Sequence, residues 1–173
     1  TATLFHKKAR ELGRAIEAMP EGPDPRIRRA DARKIGPSDD AGLILTSPPY
    51  PGVYDYLPMH QLRFAWLGMD ASEALTKEIG ARRAFRAKGR QDALKRWRKD
   101  TDSWVATQAE ALVPGGRFVI VVGDGLVGGK TVDTLGPTVE SLRTAGLNIV
   151  ARASADRADH AREMVRIEHM VMA

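Results

Sequence analysis

Ser47-Pro48-Pro49-Tyr50 follows directly on the apolar run Gly42-Leu43-Ile44-Leu45, inside the longer stretch TSPPYPGVYDY of residues 46–56. Proline has no backbone N–H and cannot continue a strand ladder. Pro49 also drives Pro48 out of the α region, so the turn is stiff before anything binds. A stiff turn can aim the Pro48 carbonyl and the Ser47 hydroxyl into one pocket, with the Tyr50 ring as a flat wall. Two acceptors beside a ring suit a planar substrate that carries an amino group. Read alone, the same four residues also describe a plain strand terminator.

A second chemical feature is charge. Residues 77–99 hold ten Lys/Arg against Glu78 and Asp92, a net +8 in a chain whose total is +5. The remainder is therefore slightly acidic, and the basic segment favours a polyanion, with nucleic acid the first candidate. A solvated helix face is the other reading of the same residues. Within the segment Arg82, Arg83, Arg86, Lys88 and Arg90 crowd around Phe85 and are the candidates for phosphate contacts. Trp97 and Trp104 are seven apart, which predicts two core positions on one helix face.

The glycine-rich stretch GDGLVGGKT, residues 123–131, follows an apolar run but fails the spacing of a phosphate-binding loop. Five residues before Gly129 stands Asp124, whose carboxylate would sit where phosphate belongs. It reads as a flexible loop on the rim of a pocket. His6, His60, His160 and His169 show no ligand spacing, and no metal site is expected. There are no cysteines, so thiolate sites and disulfides are excluded and a cytoplasmic setting is the default.

These residues need elements to position them. Phe5, Leu12, Ile16 and Met19 predict a helix over 3–19, ended by Pro20 and Gly22. Arg26–Ile35 reads as an extended strand turning at Gly36-Pro37, and residues 41–47 as a strand of the kind buried inside a parallel sheet. A helix over 57–68 closes at Gly68. The basic segment 72–90 is helical with a break at Gly89, and a longer helix runs over 91–112. Phe118–Val122 is a strand, Leu135–Ala145 a helix capped by Gly146, and 147–154 and 163–172 a closing strand pair. This alternation predicts a doubly wound, mostly parallel α/β sheet with an antiparallel pair at one edge. Ligands in such sheets sit beyond the carboxyl ends of the strands, where Ser47–Tyr50 falls. No apolar run is long enough to cross a membrane, and a chain of 173 residues fits one domain.

Ser47–Tyr50 resembles the (D/N/S)PP(Y/F/W) motif of amino-methyltransferases that modify exocyclic nitrogens of nucleic-acid bases. With HQLRFAWLG at 60–68 and LVPGGRFVIVVGDG at 112–125, the chain is similar to bacterial site-specific DNA methyltransferases over most of residues 3–172. The resemblance implies a class I, Rossmann-like methyltransferase fold, with 72–99 as a basic helical insertion. It also implies S-adenosylmethionine as cofactor and duplex DNA with a flipped base as partner. Ser47, Pro48, Pro49 and Tyr50 would then be catalytic, Tyr50 stacking on the base, and Asp31, Ala32 and Thr46 would contact the cofactor. A serine in the first motif position points to cytosine N4, with adenine N6 still open. The family's Phe-x-Gly-x-Gly cofactor loop is absent from the sequence, as is the acidic residue ending its second strand. The chain, beginning at Thr1, therefore reads as the carboxyl-terminal part of such an enzyme. An amino-terminal segment or a second chain would be needed for cofactor binding. An RNA guanine-N2 methyltransferase and a non-catalytic nucleic-acid-binding fragment are the alternatives.

Overall fold

The computed structural model describes residues 2–22, 24–37, 40–159 and 164–173. Its elements are α1 (Ala2–Glu17), β1 (Ala41–Thr46), α2 (Tyr56–Met59), α3 (Gln61–Trp66), α4 (Ser72–Lys77), α5 (Arg82–Lys88) and α6 (Arg90–Ala109). They continue with β2 (Leu112–Gly123), β3 (Gly125–Val127), β4 (Lys130–Val132), α7 (Leu135–Thr144), β5 (Ala151–Asp159) and β6 (Met164–Met172). Four strands form one sheet in the order β1-β2-β6-β5, while β3 and β4 pair separately.

The sheet is mixed rather than mostly parallel. β1 and β2 run parallel, with Thr46 opposite Ile120, because α2 to α6 carry the chain back between them. β2–β6 and β5–β6 are antiparallel, with Gly123 opposite Glu168 and Ser154 opposite His169. The closing strand pair is present, but residues 147–150 make no ladder and β5 starts at Ala151.

One face of the sheet is covered. Ile44, Phe118, Ile120, Val122 and Val171 pack beneath Trp104 and Val105 of α6 and Val139 and Leu142 of α7. Trp104 meets Phe118 edge-on, with ring centroids 6.1 Å apart. Trp97 is buried as its spacing predicts. α7 ends in a Schellman motif: Gly146 N–H donates to Arg143 and Leu147 N–H to Leu142, with Gly146 at φ 82°. On the other face Leu43 and Leu45 are exposed, although GLIL has the composition of a strand buried on both sides. α1 forms as predicted and buries none of its residues.

Four expectations are corrected. Arg26–Ile35 is not a strand, because Asp31 folds it locally: its carbonyl accepts from Lys34 and Ile35 N–H, and its Oδ1 from Arg33 N–H. Those backbone groups are then unavailable to a ladder. The helix over 57–68 is two short helices, broken where His60 adopts φ −104°, ψ 9°. Segment 72–90 breaks at residues 78–81 as well as at Gly89, since Glu78 is extended and Gly80 has φ 66°. Residues 125–132 are a tight hairpin, not a flexible loop. Gly128 and Gly129, at φ 59° and 73°, supply the two positive-φ positions of a type I′ turn. His160 and residue 163 lie outside the described residues.

Candidate active site

Ser47–Tyr50 leaves the carboxyl end of β1 beside the end of β2, as the sheet rule requires. Among the described residues nothing donates a hydrogen bond to the Pro48 carbonyl, so that acceptor is free. Ser47 is exposed, and its Oγ lies 3.4 Å from the Tyr50 hydroxyl. The Tyr50 hydroxyl donates to Glu168 Oε1 at 2.7 Å. A phenol has one proton, so when it serves Glu168 the serine must be the donor in the 3.4 Å contact. Ser47 then keeps its lone pairs turned outward as acceptors.

The Tyr50 ring departs from the expected role. It is only 8% exposed, part of the main core, and lies against Gly123, where any side chain would collide with it. The ring is thus a buried anchor, and a base could stack on it only if that packing opened. Burial raises the Tyr50 pKa, and the hydrogen bond from Tyr50 lowers that of Glu168, so the phenol stays protonated and the carboxylate ionised. Arg157 adds a second cationic partner to Glu168 from the exposed edge strand.

Asp31 and Ala32 come together with Pro49 on one cavity of about 760 Å³, walled also by Leu57 and Ile79. Arg33 grips Asp31 with Nε to Oδ1 at 2.9 Å and Nη2 to Oδ2 at 2.8 Å. Those bonds hold the Asp31 pKa at about 2 and push that of Arg33 up. Arg33 also reaches Asp100 at 2.9 Å and the Lys77 carbonyl at 3.1 Å, fixing the Asp31 turn against α6 and α4. With Oδ1 already accepting twice and Oδ2 once, one lone pair of Oδ2 remains for a ligand donor. Thr46 ends β1, half-buried, and does not line this cavity.

The basic candidates separate by partner. Arg83 is occupied: its backbone N–H and guanidinium bond Asp55, and Nη1 reaches Glu78 at 2.6 Å. Arg82 shares Asp55 at 3.4 Å. Arg86 and Arg90 are exposed and have no carboxylate partner among the described residues. Lys88 closes α5, and its side chain lies outside the description.

Sequence reading missed Glu168 and Arg33. Both are in charge-rich stretches whose alternation suggests only exposed positions, and the partners that matter most, Tyr50 and Asp100, lie far away in the chain. Gly123 was the one available signal, a glycine in a strand interior marking a close approach. A second polar group was also unforeseen. His169 Nδ1 lies 2.8 Å from Ser154 Oγ, and its Nε2 3.2 Å from Asp124 Oδ1, which Thr134 also contacts. Asp124 therefore ties β2 to β6 and to the start of α7.

No family model and no curated protein matches the chain. Among solved structures it is similar to a provisionally named DNA modification methylase of Thermus thermophilus. The identity is 23% over 83% of this chain and 50% of that one, with a TM-score of 0.40. The same protein complexed with S-adenosyl-L-methionine matches at 23% over 82% and 52%, with a TM-score of 0.39. The chain thus spans about half the length of the structures it matches. At that identity and TM-score the likeness does not extend to activity. Among the described residues no helix is long and apolar enough to cross a membrane.

Proposed function

We propose that this chain carries the amino-acceptor half of an S-adenosylmethionine-dependent methyltransferase acting on a base in DNA, at cytosine N4. The observation that carries the reading is the Ser47–Tyr50 turn: two outward acceptors at a strand end, with Pro49 bordering the cavity that holds Asp31. The Ser47–Tyr50 motif resembles that of the amino-methyltransferases, and adenine N6 is the runner-up because serine does not exclude it. A doubly wound, Rossmann-like whole fold belongs to the same proposal.

The cavity suits the cofactor in volume, within the ~300–1,000 Å³ of small-molecule sites, and in having apolar walls with one charged acceptor. When bound, S-adenosylmethionine supplies an electrophilic methyl on sulfur. Asp31 Oδ2 and the Ala32 backbone would hold its adenosine end. An exocyclic amine is conjugated with its ring and is a poor nucleophile. Ser47 Oγ and the Pro48 carbonyl would accept its two N–H bonds and draw the nitrogen towards tetrahedral geometry, freeing the lone pair. This is catalysis by positioning and by fixed polar groups. Once the N–C bond forms, the nitrogen is strongly acidic. Its proton passes to Ser47 Oγ as the serine proton moves to Tyr50 and the Tyr50 proton to Glu168. In this reading Tyr50 acts through its hydroxyl, with the ring as anchor.

The test is methyl transfer from labelled cofactor to duplex DNA and to transfer RNA, with the methylated nucleosides identified by mass spectrometry. N4-methylcytosine from wild type and its loss in Ser47→Ala are the expected results. Full activity in Ser47→Ala would overturn the assignment, and a methylated guanine in RNA would favour the alternative substrate.

A further inference from the structure

We propose that the cavity between α5, the start of α6 and the β3–β4 hairpin is a phosphodiester site. It would take a backbone phosphate of the DNA strand whose base enters the Ser47–Tyr50 turn, the choice of DNA resting on the reading above. The cavity measures about 560 Å³ and is lined by Arg82, Arg86, Arg90 and Lys130 around Phe85, with no acidic residue on its wall. The cavity at Asp31 differs: there Asp31 and Glu78 accompany the arginines and lysine.

Arg82, Arg86 and Arg90 recur every fourth residue, which stacks them along one side of a helical stretch. Like charges at that spacing repel, so the arrangement is favourable only when an anion enters. Gly89, at φ 78° and ψ 163°, bends the chain between α5 and α6 and lets Arg90 open the next helix. Lys130 comes from the opposite wall, just after the Gly128–Gly129 turn. Phe85 and Ala93 pack against Val127 and Val132, pinning the hairpin to the two helices and fixing that wall. Arg86, Arg90 and Lys130 have no acidic partner among the described residues, whereas Arg83 is occupied by Asp55 and Glu78. The site thus takes three arginines of the basic segment, leaves Arg83 to structure, and adds a lysine remote in sequence.

The cavity is rigidly joined to the amino-acceptor turn. Gly52, two residues after Tyr50, lines it, and the Leu126 N–H donates to the Pro51 carbonyl at 3.2 Å. A Cβ at residue 52 would meet the Leu126 carbonyl oxygen at 2.6 Å, so only glycine permits this approach. A phosphate held by Arg86, Arg90 and Lys130 would therefore set the register of a strand relative to Ser47.

The experiment is fluorescence anisotropy of the full chain with a labelled DNA duplex across a salt series. Arg86→Ala/Arg90→Ala/Lys130→Ala is compared with Lys7→Ala/Arg10→Ala/Arg14→Ala, which removes the same charge from exposed positions of α1. The slope of log K against log salt should flatten by about 2–3 in the first variant, near one per lost phosphate contact, and change much less in the second. Equal losses in both variants would reduce the effect to net charge and overturn the site. An RNA duplex that outcompetes DNA would overturn the assignment to DNA. If the triple variant binds as wild type while Ser47→Ala abolishes methyl transfer, this inference alone fails. If binding is lost but Ser47→Ala methylates normally, the amino-acceptor reading alone fails.

Discussion

Replacing Gly123 by alanine tests whether the Ser47–Tyr50 turn is held from behind by ring packing. A Cβ on residue 123 would stand 2.7 Å from Tyr50 Cε2, 3.0 Å from Cδ2 and 3.3 Å from Cζ. Ordinary contact begins near 3.4 Å, so the ring must retreat by about 0.7 Å. It cannot do so freely, because it is buried in the core and its hydroxyl is tied to Glu168. Overpacking of this kind costs about 1–3 kcal/mol. Alanine also restricts the unfolded chain, which returns about 0.4–1 kcal/mol. The net loss should be about 1–2 kcal/mol, or roughly 2–8 °C in Tm for a chain of this size. Thermal melts of wild type, Gly123→Ala, Tyr50→Ala and the double variant form the assay. In the Tyr50→Ala background the clash has no partner, so Gly123→Ala should become neutral or stabilising. An unchanged Tm in the single variant, or the same loss in both backgrounds, would refute the reasoning.

Glu168→Gln keeps the shape but removes the charge that Tyr50 and Arg157 address. A loss of about 1–2 kcal/mol in urea denaturation is expected, with slower methyl transfer if the proton relay operates. Arg33→Ala removes the bonds to Asp31, Asp100 and the Lys77 carbonyl. It should cost about 2–3 kcal/mol in the same assay and weaken cofactor binding measured by calorimetry. Trp104→Ala empties a core site against Phe118 and should cost about 3–5 kcal/mol, read from the urea midpoint. Asp31 titrates at about 2 and Glu168 below its ordinary 4.5 in the folded chain. Both are depressed, so their stabilisation is complete above the unfolded values and is lost as pH falls through the folded ones. Urea midpoints should therefore hold steady above about pH 5 and fall between about pH 4 and 2, less steeply in Arg33→Ala.

The features legible in the sequence were those written in neighbouring residues. Two prolines after an apolar run stop a strand because a missing N–H and a blocked α region are local facts. Gly146 ends α7 because an αL position after a helix needs no distant partner. The regular spacing of α1 likewise predicts a helix, but not that its apolar stripe buries nothing. Asp31 shows where local reading fell short, since one aspartate bonding the backbone two residues on was enough to replace a strand with a turn. The remainder was set by the fold. Tyr50 and Glu168 are 118 positions apart, and only the antiparallel placement of β6 beside β2 makes the tyrosine an anchored donor. Arg83 and Arg86 look alike in the sequence. Arg83 became structural because Asp55, 28 positions away, folds against it, while Arg86 faces a cavity that holds no acid. Backbone chemistry acts through the adjacent bonds, whereas the meaning of a charge depends on which opposite charge lies within a few ångströms, and the fold alone sets that distance.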